Sequence, residues 1–208
     1  ADEQPKKRVP LVENHEVDPQ ALPWELPNPN LEAPEGHRAG FVNIIGSPNV
    51  GKSTLMNQLV GTRLSIINKK AQTTRHRIMG IVNDPMWQIV YSDTPGVLDP
   101  AYKLQEGMMK FVRTALQDAD VLLVVTDVFE DALADPQTWE KITKMDLPTF
   151  ILINKMDLAD QERAMQRVAY WQEQMPSATV APISALHGFN VDSLLERIVE
   201  SLPVAPPY

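Results

Sequence analysis

The chain has 208 residues, no cysteine and a formal net charge of -8, which suits one α/β domain plus tails and excludes a disulfide framework, a thiolate metal site and a cysteine nucleophile. The acidic balance gives no bulk attraction for a phosphate backbone, so strong nucleic-acid binding by these residues alone is not expected; it would need a local basic patch or another domain. No apolar run approaches the ~20 residues of a transmembrane helix, and no signal-peptide pattern is present.

Residues 1–36 hold seven of the 18 prolines and lack apolar periodicity, so a Pro-rich flexible leader is expected there. Lys6, Lys7 and Arg8 read as a solvated charge run or a basic contact point. Trp24 and Leu26 could dock on the domain or on a partner. A start at Ala1 instead of Met suggests a processed precursor or a trimmed sequence.

From Phe41 the pattern alternates between strand and helix. The apolar run Phe41–Ile45 predicts a buried strand. It leads into Gly46, Ser47, Pro48, Asn49, Val50, Gly51, Lys52 and Ser53, then Thr54, where a helical pattern opens and continues to Val60. Strand, GxxxxGK[ST], helix is the order a phosphate-binding loop requires. Gly46 and Gly51 open turn conformations that let backbone N–H groups converge on an anion at a helix N-terminus. Lys52 would reach the β- and γ-phosphates, and the Ser53 hydroxyl would face the magnesium ion bridging them.

The segment from Gly61 to Arg77 is polar and basic, with Lys69, Lys70, Arg75, His76 and Arg77 around Thr73 and Thr74. A mobile loop over the nucleotide belongs here, and a threonine can complete the magnesium shell. Thr74 is the first choice for that ligand and Thr73 the second; the basic residues are a solvated loop or an RNA-facing patch. After predicted strands Ile78–Asn83 and Gln88–Ser92 come Asp93, Thr94, Pro95 and Gly96. Asp93, at a strand's carboxyl end, can hold magnesium through water, and Gly96 can offer its N–H to the γ-phosphate. Leu104, Met108, Phe111, Val112, Ala115 and Leu116 mark a core-facing helix.

Strands are predicted at Val121–Thr126, Thr149–Ile153 and Thr179–Pro182, with near-continuous apolar runs as in strands covered on both faces. Asp135 and Pro136 open a helix through Trp139 and Ile142. Asn190 stands at the capping position before Val191, Leu194, Leu195, Ile198, Val199 and Leu202. Together these predict an α/β fold with a mostly parallel six-stranded sheet and helices on both faces. Asn154, Lys155, Met156 and Asp157 follow the fifth strand. An aspartate there can accept from guanine N1–H and the exocyclic amine while the Lys155 stem covers the base; adenine would strand that carboxylate. Ser184, Ala185 and Leu186, after the last strand, can turn backbone amides to the guanine O6.

With these residues together, the chain resembles the translation-factor-related GTPases, a P-loop NTPase fold with a Ras-like GTPase domain, and within them the Era family. The general resemblance covers Phe41 to about Leu202. The family-specific part is Lys70-Ala-Gln-Thr-Thr-Arg-His-Arg-Ile78 with Gly80 and Ile81, then Asp93-Thr-Pro-Gly-Val97, and the closing Leu202-Pro-Val-Ala-Pro-Pro-Tyr208. It implies a GTPase domain over residues 37–202 and, in 203–208, the start of a linker to an rRNA-reading KH domain that is missing. It also implies GTP and GDP as ligands with magnesium, slow hydrolysis of GTP, and a role in small-subunit ribosome maturation with that subunit and its rRNA as partners of the full-length protein. Residues 1–36 lie outside the family's pattern and suit a plastid or mitochondrial relative after transit-peptide removal. The compartment is then the cytoplasm or an organelle stroma or matrix, and a monomer is expected.

Lys52, Thr74 and Gly96 would form the catalytic set, with Ser53, Thr74 and, through water, Asp93 serving magnesium. Val97 follows Gly96 where many signalling GTPases carry a water-orienting glutamine, so slow intrinsic turnover is expected. Asn49 matches the asparagine with which related GTPases hold potassium beside the phosphates. The competing readings are a nucleotide-gated interaction module, a related tRNA-modification or ribosome-assembly GTPase, and a P-loop ATPase or kinase, the last disfavoured by Asn154–Asp157.

Overall fold

The computed structural model describes residues 33–47, 49–61, 77–93, 118–131 and 136–208. The strands are β1 (Arg38–Gly46), β2 (Arg77–Asp84), β3 (Trp87–Asp93), β4 (Val121–Asp127), β5 (Thr149–Asn154) and β6 (Thr179–Pro182). The helices, numbered among the described residues, are α1 (Lys52–Val60), α2 (Pro136–Thr143), α3 (Gln161–Gln174) and α4 (Val191–Ser201), with a single 3-10 turn at Met156–Leu158. The sheet order is β2-β3-β1-β4-β5-β6. Only the hairpin pair β2–β3 is antiparallel among these pairings.

The continuous apolar runs of β4 and β5 are explained by a core on each face of the sheet. Side chains alternate across a strand, so Leu123 and Val125 join Phe150 and Leu152 in one core with Leu55 and Leu59 of α1 and Leu194 and Ile198 of α4. Leu122 and Val124 join Ile151 and Ile153 in the other, with Ile142 of α2 and Trp171 of α3. Trp139 and Tyr170 each meet Trp171 edge-on, at ring-centroid distances of 5.6 and 5.0 Å. Tyr91, on β3, is wholly buried, which pushes its phenol well above the usual range and keeps it neutral.

All six predicted strands form. β1 begins three residues before its predicted start because Arg38, Ala39 and Gly40 pair with Trp87, Gln88 and Ile89, a partnership that apolarity alone does not signal. α4 begins after Asn190, but capping differs from expectation. Asn190 is left-handed (φ 61) and makes no side-chain cap; its amide donates instead to Pro182 O at 2.9 Å, tying the loop to β6. Residues 203–208 lie along the sheet: Ala39 N donates to Pro203 O, and Tyr208 meets Phe41 edge-on at 5.0 Å. The helix face predicted at 104–116, Asp135 and the leader through residue 32 lie outside the described residues.

β1 has β3 on one side and β4 on the other. The chain leaves β1 toward β2 on one side of the sheet and leaves the neighbouring β3 toward β4 on the other, so a crevice opens beyond their carboxyl ends, where ligands of open α/β sheets bind.

Candidate nucleotide site

At that crevice β1 ends in Gly46, and the chain turns through Asn49 and Gly51 into α1. Asn49 and Gly51 have positive φ, 66 and 97. A Cβ on Gly46 would lie 2.7 Å from Val125 O, and one on Gly51 only 2.2 Å from Asn154 Nδ2. Glycine at these positions allows the loop to approach β4 and the loop after β5 closely. The N-terminus of α1 has no side-chain cap and no acidic residue in its first turn. The first intrahelical bond is Leu55 N to Gly51 O, so the N–H groups of Lys52, Ser53 and Thr54 have no acceptor within the helix. They face the end where the helix dipole favours an anion.

Lys52 Nζ lies 3.3 Å from Asp93 Oδ1. The lysine expected on the phosphates and the carboxylate expected on the magnesium side therefore meet at one point, although 41 residues separate them in sequence. Ser53, an exposed residue, follows Lys52 in the first turn of α1.

The loop after β5 is fastened to the phosphate loop twice. Asn154, 3% exposed, donates from Nδ2 to Val50 O at 2.9 Å and accepts at Oδ1 from Ala185 N at 2.9 Å. Lys155 donates from Nζ to Asn49 O at 2.7 Å. Asp157 accepts from the Ser184 hydroxyl at 2.9 Å, and His187 Nε2 lies 3.4 Å from its other oxygen. The loop after β1, the loop after β5 and the loop after β6 are thus one connected body. The Ser184 and Ala185 amides donate to Phe189 O and Asn154 Oδ1. Met156 packs against the second core, and Leu186 is largely exposed. Pro48, Thr73, Thr74, Thr94, Pro95, Gly96 and Val97 lie outside the described residues.

Residues 41–155 match the family model described as 50S ribosome-binding GTPase. The chain belongs to this GTPase family. Over its GTPase region it is 43% identical to the chloroplastic ERA-like GTPase of Oryza sativa subsp. japonica, covering 83% of this chain and 42% of that protein. It is 38% identical to GTPase Era of Staphylococcus haemolyticus, covering 83% of this chain and 58% of that protein. The chain therefore spans about half the length of these curated relatives. A crystal structure of Era in complex with MgGDPNP and nucleotides 1506–1542 of 16S ribosomal RNA superposes with a TM-score of 0.65 at 35% identity, covering 83% of this chain and 59% of that one. The fold expectation, a P-loop GTPase with a mostly parallel six-stranded sheet, is borne out.

Two residues that meet the candidate site residues were not singled out by the sequence. Asp127, at the end of β4, forms an ion pair with Lys155 at 2.9 Å. A charged residue ending an apolar strand beside the phosphate loop was the available signal. His187 carried none, since only the loop after β6 brings it to Asp157.

Proposed function

We propose that this chain binds GTP with magnesium and hydrolyses it to GDP and phosphate, and that in the whole protein this hydrolysis times a step in small-subunit ribosome maturation. The carrying observation is Asn154: one buried amide joins the Val50 carbonyl of the phosphate loop to the Ala185 amide beside Asp157. A ligand seated there is read at its base and its phosphates by a single rigid unit.

The donors fit the proposed ligands. Guanine presents two N–H groups to Asp157, whose carboxylate the Ser184 hydroxyl orients. The uncapped α1 terminus and Lys52 suit the phosphates. Ser53, Asp93 through water, and Thr74 are oxygen donors of the hard type magnesium takes, and the ion would neutralise charge on the phosphates. Phosphoryl transfer to water depends chiefly on positioning and charge neutralisation. Lys52 supplies charge, and we assign the Gly96 N–H to the γ-phosphate. Val97 has no polar atom to orient water, which supports slow intrinsic turnover. The Asn49 side chain is the proposed potassium ligand, as the resemblance to potassium-stimulated GTPases implies.

Residues 37–202 are proposed as the GTPase domain, with 1–36 as a leader and 203–208 as the start of a linker. The relative solved with 16S ribosomal RNA supports small-subunit RNA as the partner of the whole protein. The proposed compartment is one with bacterial-type ribosomes, either a bacterial cytoplasm or an organelle interior; no helix among the described residues is long and apolar enough to cross a membrane.

Titration of wild type and Asp157→Asn with GTP, ATP and XTP in magnesium tests the reading. Wild type should prefer GTP. The variant should lose that preference and gain affinity for XTP, whose C2 carbonyl accepts from the new amide. Equal affinity of wild type for ATP and GTP would overturn it. Single-turnover hydrolysis with added small subunits tests the timing role, and no acceleration would favour a nucleotide-gated interaction module.

A further inference from the structure

We propose that Asp127 is a positioning residue for nucleotide binding: it holds Lys155 so that the lysine clamps the phosphate loop and lays its stem where the base sits. The inference rests on the nucleotide-site reading above. Lys155 is a left-handed residue (φ 63) on a loop with a flexible four-carbon side chain, which by itself would sample many rotamers. Its Nζ is instead placed between two fixed acceptors, Asn49 O at 2.7 Å and Asp127 Oδ2 at 2.9 Å.

Asp127 is itself immobilised. Its Oδ1 accepts from the backbone N–H of Phe129 and of Glu130, both at 2.9 Å, which leaves Oδ2 aimed at Lys155. The two sites are adjacent strand ends, because Asp127 pairs with Asn154 in the β4–β5 register and Val128 N donates to Asn154 O at 3.2 Å. A solvent-exposed ion pair would contribute little. Here the carboxylate side chain is 9% exposed and the lysine 30%, and the second carboxylate oxygen is satisfied, so the charge is directed at one partner. The result is a three-membered clamp from β4 through the base-reading loop to the phosphate loop. Its chemistry depends on the Asp127 charge, while the turn at 127–130 needs only an acceptor.

Dissociation of a fluorescent GDP from the magnesium complex separates these functions when measured for wild type, D127N, K155M and the double variant. The D127N change keeps an oxygen for the turn but offers an N–H group to the ammonium. We expect it to speed dissociation about tenfold in the wild-type background and less than about twofold in the K155M background, the signature of action through Lys155. The same factor should appear with a fluorescent IDP, since the lysine stem meets the face of the base and not its edge. Equal acceleration in both backgrounds, or none in the wild-type background, overturns the proposal. If D127N does not fold, D127S, whose hydroxyl preserves an acceptor for the two amides, is read by the same criterion. Wild type that holds ADP as tightly as GDP would overturn the nucleotide-site reading as well.

Discussion

The α-carbon of Gly51 faces the Asn154 side chain so closely that an added methyl would lie 2.2 Å from Nδ2. Gly51 also has φ 97, where an L side chain costs about 1–2 kcal/mol. Gly51→Ala should therefore push Asn154 off Val50 O and lower Tm by about 2–8 °C for a domain of this size. Differential scanning calorimetry with and without GDP checks this; an unchanged midpoint and unchanged GDP stabilisation would contradict it.

Asn154→Ala removes the amide that joins the loops and leaves Val50 O and Ala185 N without their partner. Each buried unpaired group costs about 1–3 kcal/mol. The expected result is reduced thermal stability together with a loss of GDP affinity of more than about tenfold, equivalent to about 1.4 kcal/mol. Calorimetric titration reads the second effect. Lost stability with full affinity would mean that Asn154 only packs the core.

Ser184→Ala tests the orientation of Asp157. The hydroxyl at 2.9 Å is a charge-assisted hydrogen bond, of a kind that contributes about 1.5–3 kcal/mol. GDP should bind roughly tenfold more weakly, and IDP, which lacks the amine at C2, should be affected less. Equal weakening of the two would place the serine outside base-edge reading.

Turnover of GTP in potassium chloride should exceed turnover in sodium chloride at equal ionic strength if the Asn49 side chain is the potassium ligand proposed above. Equal rates would remove the potassium role.

Tyr208→Ala provides a contrast away from the site. The ring packs on Phe41 at 5.0 Å and on the small cluster of Ile78 and Val90. Edge-on aromatic pairs contribute about 0.5–1.5 kcal/mol beyond their buried area. A Tm lower by about 2–4 °C with unchanged GDP affinity is expected, measured by thermal melting and titration.

The sequence by itself determined the six strands and the glycine-and-lysine loop that follows the first of them. β4 and β5 were legible because strands buried on both faces must be apolar at every position, and the Gly46–Ser53 loop was legible because its glycines and lysine are required at fixed spacing. The start of β1 was not legible, since Arg38 and Gly40 gain their place from pairing with β3. Nor was the Asn190 conformation, where a side-chain bond to Pro182 O replaced the expected cap.

Only the tertiary structure decided how the loops are joined. Asn154 and Val50 are 104 residues apart in sequence, Lys155 and Asn49 106, and Ser184 and Asp157 27. Their hydrogen bonds follow from parallel strands delivering their carboxyl ends to one edge, a consequence of sheet order. The Asp127–Lys155 pair has the same origin: neighbouring positions in the β4–β5 register place a carboxylate and an ammonium side by side. Residue type and spacing along a chain specify which groups are present, but their mutual distances are set when the sheet closes.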